Sequence, residues 1–110
     1  MIDLAEVTDR TFDAQVFKPE IPVLVGFGSQ WCEPCRTVVP MLRELAREYQ
    51  GRLKVVLLDV DQSAQAGFQY HVETVPMLIL FANGQEVARW AGVLPKERLR
   101  AQLLPYLPGG

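Results

Sequence analysis

Metal-ligating residues are scarce in this chain. It has two cysteines, Cys32 and Cys35, and one histidine, His71. A structural zinc site takes four protein ligands, so a zinc-built domain would be short of donors. Long apolar runs are missing too: the longest, residues 75–82, has the length of a strand and not of a membrane span. Positive charge is not in excess, with 11 Lys and Arg against 13 Asp and Glu and a formal net charge of -2. A nucleic-acid partner needs a basic patch to displace phosphate counterions, so none is expected. No internal repeat or low-complexity stretch occurs. Residues 1–6 contain neither the basic nor the apolar segment of a secretory signal. A cytoplasmic location without membrane association is therefore expected.

What is present is the composition of one globular domain: 110 residues, 49% hydrophobic and 22% charged. Residues 1–107 are expected to form it, with 108–110 as a short flexible tail. Residues 22–27 and 53–60 are apolar almost throughout, as in strands buried on both faces of a parallel sheet. Between them Val38, Leu42, Leu45 and Tyr49 make one helical stripe, and Arg43, Glu44, Arg47 and Glu48 fill the other face. Pro34 suits the first turn of that helix, Pro40 lies inside it and is expected to bend it, and Gly51 ends it. Strand, helix and strand form a βαβ unit.

Asp61 is placed to cap a short helix running to about Tyr70. Residues 77–81 and 85–91 read as a hairpin around Asn83-Gly84, a type I′ pair. Pro95 opens a last helix with Leu99, Leu103 and Leu107 on one side. Phe12, Val16 and Phe17 suit a first helix after a short strand near residues 2–4. The sum is an α/β domain with a mixed sheet and helices on both faces.

The two cysteines stand three positions apart. A disulfide between them closes too small a loop to remove much entropy from the unfolded chain, so a structural staple is a poor explanation. Spacing alone points to redox chemistry or metal binding. Context favours redox chemistry, because the pair follows a buried strand and opens a helix. At that place Cys32 lies near unpaired N–H groups and the positive end of the helix dipole, which stabilise a thiolate. Cys35, one turn on and more buried, is then the resolving thiol that releases the substrate. His71 reads as a surface or helix-end residue.

Trp31-Cys32-Glu33-Pro34-Cys35, Pro40, Asp59-Val60-Asp61-Gln62, Val75-Pro76, Phe81-Ala82-Asn83-Gly84 and Gly92 occur in an order and spacing that resembles the thioredoxin family over nearly the whole chain. The resemblance implies the thioredoxin fold, a five-stranded mixed central sheet flanked by four helices. It implies a thiol–disulfide oxidoreductase that reduces protein disulfides through Cys32 and Cys35 and serves cell redox homeostasis. It also implies a cis Val75–Pro76 peptide beside the cysteines, and a shallow substrate groove of Trp31, Thr74, Val75, Pro76, Gly92 and Val93. No bound cofactor is expected beyond the redox-active Cys32–Cys35 disulfide. Electrons would come from a separate thioredoxin reductase, since this chain has no Gly-rich dinucleotide fingerprint. Partners would be disulfide-containing proteins, and the chain itself a monomer.

The sequence departs from the family pattern around the chemistry. Glu33 stands where Gly is usual, and its charge is expected to raise the Cys32 pKa modestly. Gly26 and Leu57 replace a buried Asp and the Lys that accompanies it, leaving an apolar floor. Resolution by Cys35 is then expected to be slow unless water or another group takes its proton. Gly28 replaces a large aromatic residue, whose space Trp90 is expected to fill in part. These changes keep two further readings open: a specialised redox protein with a dedicated partner, and a largely non-catalytic binding module.

Overall fold

The computed structural model describes residues 4–109. Its sheet has five strands: β1 (Ala5–Glu6), β2 (Val23–Gly28), β3 (Lys54–Asp59), β4 (Met77–Ala82) and β5 (Gln85–Ala91). They lie in the order β1-β3-β2-β4-β5. β1 and β2 run parallel to β3, while β4 runs antiparallel to both β2 and β5. The helices are a single turn at Asp13–Phe17, α1 (Glu33–Glu48), α2 (Ala64–Gln69) and α3 (Lys96–Leu103), which continues into a tight turn at Leu104–Tyr106. The mixed α/β architecture expected from the sequence is the one observed.

Alternation along the central strands sorts their side chains into two cores. Leu24, Val55, Leu78 and Leu80 face α1 and α3, where Val38, Leu42, Leu45, Leu99, Leu103 and Leu107 meet them. Val23, Val25, Phe27, Val56, Leu58, Ile79 and Phe81 face the other way, against Phe12, Val16 and Ala66. On that side Phe12, Phe17, Tyr70 and Phe81 pack their rings edge to face or stacked at 5.2–6.4 Å. The predicted stripe of α1 is buried along its whole length, including Tyr49. Pro40 lies inside α1 without ending it. Its neighbours Val38 and Leu42 hold the helix against the sheet.

The hairpin between β4 and β5 turns at Asn83 and Gly84, with φ of 54° and 76°. Two successive left-handed residues are what a type I′ turn requires. β5 carries a bulge opposite Leu80 and Phe81, and Arg89 pairs with Glu86 along it.

Two expectations differ from the structure. The described first strand is Ala5–Glu6; of the positions expected for it, residues 2 and 3 lie outside the described residues. α2 is not capped by Asp61. The Asp9 carboxylate, from the far side of the chain, accepts the N–H groups of Gln65 at 3.2 Å and Ala66 at 2.8 Å. Local spacing cannot reveal a cap supplied from 56 residues away. Leu107 is buried in the core, and the Pro108 carbonyl accepts a hydrogen bond from Arg52 Nε at 2.8 Å.

Candidate active site

The site is made where β2 ends and α1 begins. β2, the central strand, ends at Gly28, and Ser29 turns the chain. Ser29 Oγ donates to Asp61 Oδ2 at 2.6 Å and accepts from Trp31 N at 3.2 Å. Asp61 is itself held, its N–H donating to Asp59 Oδ1 at 2.8 Å. The Ser29 carbonyl then accepts the Cys32 N–H at 3.2 Å. This polar clamp between two loops was not legible as such, because each residue alone reads as ordinary turn chemistry.

Cys32 is the residue that caps α1. Its backbone is extended (φ -97°, ψ 106°), and Pro34 occupies the first turn. Cys32 Sγ accepts the Cys35 N–H at 3.1 Å. A sulfur in this position receives one of the N–H groups that the helix cannot satisfy internally, together with the positive end of its dipole. The two sulfurs are bonded to each other, with Cα atoms 5.3 Å apart. Cys32 is half-buried and Cys35 buried. Glu33 and Arg36 lie on the outer face, 3.8 Å apart and largely exposed, so their attraction is weak.

Pro76 reaches the cysteines from the other side. The Val75–Pro76 peptide is cis. Pro76 and Cys35 line a common small cavity of about 30 Å³ with Gly26, Leu42, Leu57 and Leu78. The Pro76 carbonyl accepts the Gly92 N–H at 2.9 Å. Gly92 has φ of 80°, where a side chain is strained, and a Cβ there would touch nothing in the protein. Backbone conformation is thus a sufficient reason for glycine at this position. Trp31 is 87% exposed, and Thr74 and Val93 are exposed while Val75 is half-buried. The structure brings Cys35, Pro76 and Gly92 into one chain of contacts and leaves Trp31 and Val93 as the bare apolar side chains beside it.

The floor beneath the pair is apolar, as Gly26 and Leu57 suggest. A Cβ on Gly26 would meet Leu42 Cδ1 at 3.0 Å and Leu57 Cδ2 at 3.2 Å. Trp90 does not fill the space next to Gly28. It packs with the α1–α3 core and donates its indole N–H to Gln102 on α3. The space stays open as a cavity of about 560 Å³, lined by Gly28, Trp31, Cys35, Arg36, Leu57, Asp59 and Glu6 among others. Trp90 is turned away because its position opposite Leu78 on β5 lies two strands from β2. Among the described residues no group of three or more His, Cys, Asp and Glu could hold a metal ion. No described helix is long and apolar enough to cross a membrane.

Known proteins match this arrangement along nearly its full length. The sequence profile of the thioredoxin family matches residues 3–104. Thioredoxin 1 of Nostoc sp. is 41% identical over 103 residues, covering 94% of this chain and 96% of that protein. Thioredoxin of Synechocystis sp. is 39% identical over 102 residues, covering 93% and 95%. Thioredoxin of Pseudomonas aeruginosa is 41% identical over 100 residues, covering 91% and 93%. With a bonded Cys-x-x-Cys pair at the head of α1 and this likeness on either side of it, the chain belongs to the thioredoxin family and is a thiol–disulfide oxidoreductase.

Proposed function

We propose that the chain reduces disulfides in other proteins, with Cys32 as the attacking thiol and Cys35 as the resolving one. The observation that carries this is the unequal setting of the pair: Cys32 is half-buried and receives the Cys35 N–H, while Cys35 is buried beneath it. In the reduced protein that N–H and the α1 dipole favour a Cys32 thiolate, the species that attacks a disulfide. Attack forms a Cys32–substrate disulfide and expels the first substrate thiolate. Cys35 then loses its proton and attacks Cys32 Sγ. The Cys32–substrate bond breaks, the second substrate thiolate leaves, and the Cys32–Cys35 disulfide holds the two-electron oxidation. Both sulfurs sit on one turn, so the second step is intramolecular and gains the corresponding effective concentration.

Substrate contact falls to Trp31, Thr74, Val75, Pro76, Gly92 and Val93. An extended substrate segment would lie along the exposed backbone at Thr74 and Val75, like a short added strand. Glu33 and Pro34 set the charge and geometry of the first turn, and Gly26 and Leu57 the polarity of the floor. A thioredoxin reductase supplies the electrons, the compartment is the cytoplasm and the working form is a monomer. The open cavity behind Cys35 favours one second reading, a redox protein tuned to a dedicated partner.

Trapping tests the assignment. The Cys35→Ser protein, reduced and mixed with a cell extract, is expected to hold many different proteins covalently on Cys32, released by added thiol. Capture of one partner alone supports the dedicated reading. No capture, or capture unaffected by Cys32→Ser, rejects Cys32 as the attacking thiol.

A further inference from the structure

A buried thiol has to give up its proton before it can attack, and little around Cys35 can take one. The small cavity on its inner side is lined by glycine, proline and aliphatic or aromatic side chains. The larger cavity on its outer side is different. It shares Cys35 with Asp59 and Glu6, the carboxylates among its described lining residues, and with Arg36. Strand register says which carboxylate is nearer. Gly28 on β2 pairs with Asp59 on β3. Paired residues of adjacent strands point to the same face, roughly 5 Å apart. On Gly28 that face is the one towards Cys35, because a Cβ built there would lie 3.3 Å from Cys35 Sγ. Glu6 pairs with Leu57, two residues before Asp59 along β3, and lies one strand further out. Gly28 therefore puts no side chain between Asp59 and Cys35, and all three line one cavity wide enough for water.

We propose that Asp59 accepts the Cys35 proton through water in this cavity, with Gly28 as the opening that makes the route possible. The inference rests on Cys35 being the resolving thiol. In the step, the Cys35 S–H proton passes by way of water to the Asp59 carboxylate. The Cys35 sulfur bonds to Cys32 Sγ, the bond from Cys32 to the substrate sulfur breaks, and the substrate leaves with that electron pair. Asp59 later returns its proton to solvent. Asp59 Oδ1 is committed to the N–H groups of Asp61 at 2.8 Å and Gln62 at 3.4 Å. Those bonds fix the carboxylate on the cavity wall. The other charged groups around it are Glu6 from β1, Arg36 from α1, with Glu33 as its partner, and Asp61, whose carboxylate is held by Ser29.

The test separates attack from release in single turnovers of the reduced protein with a labelled peptide disulfide. Asp59→Asn keeps the carbonyl that accepts the Asp61 N–H and loses only the base. Release of the second peptide thiol is expected to slow about a hundredfold near neutral pH, the low end for a general base. Attack by Cys32 is expected to be unchanged. The deficit should vanish at alkaline pH, where Cys35 ionises without help, a recovery that a purely structural lesion would not show. Gly28→Ala, which puts a methyl against Cys35 Sγ, should slow release in the same way. Release at the unaltered rate in Asp59→Asn at every pH overturns the proposal, as does slowing by Glu6→Gln alone. If the Cys35→Ser protein fails to form the peptide mixed disulfide at all, the two-thiol reading beneath this proposal fails instead.

Discussion

At position 33 a carboxylate sits one residue from Cys32, the proposed attacking thiol. Its charge favours the start of α1 and opposes a neighbouring thiolate, two effects of opposite consequence for the chemistry. The structure sets their size. The Glu33 side chain is 85% exposed and faces Arg36 at 3.8 Å, so water and a counter-charge both screen it. Glu33→Gly is therefore expected to lower the Cys32 pKa only modestly. Titrating thiolate absorbance in the two reduced proteins measures it, and an equal or higher value in the glycine form would refute the repulsion.

Among the elements, α1 and α3 are joined by a charged network on their outer faces. The Glu48 carboxylate pairs with Lys96 Nζ at 2.6 Å and with the Arg100 guanidinium. Hydrogen bonds from Arg100 and then Lys96 hold its carboxyl down to about 2, against an ordinary 4.5. The folded protein binds this proton less readily than the unfolded chain does. The stabilisation is complete above the unfolded value and is lost as pH falls from about 4.5 towards 2. In denaturant titrations, Glu48→Gln is expected to lower stability at neutral pH and to flatten its decline over that acid range. An unchanged acid slope would show that the network contributes nothing to the linkage. This network also marks how far the sequence could be read. The stripe of α1, the leucines of α3, the hairpin and the cysteine turn were all legible, because each depends on spacing within one segment. Glu48 meeting Arg100, Asp9 capping α2 and Ser29 meeting Asp61 were not, because each joins positions far apart in the chain. Trp90 misled for the same reason, since only strand order shows that it cannot reach Gly28.

For the molecule as a whole, stability and turnover meet at Gly26. A side chain there needs Leu42 and Leu57 to give way, at 3.0 and 3.2 Å from a Cβ. A carboxylate would also enter a floor that offers it no partner. Gly26→Asp is expected to cost roughly 3 kcal/mol of folding free energy, in the range for an unpaired buried polar group. It should also speed release by Cys35, because a base then lies inside the protein and no longer across a cavity. Chemical denaturation and single-turnover release measure the two separately. Unaltered release would show that proton acceptance does not limit the rate. The margins of the sheet bear on the molecule's dealings with others. Among the described residues β1 offers two residues on one flank, and β5 on the other is bulged and carries the Arg89–Glu86 pair. Short, kinked or charged borders discourage a foreign strand from extending the sheet. A thiol–disulfide oxidoreductase with such borders can thus meet other chains repeatedly without drawing them into its own sheet.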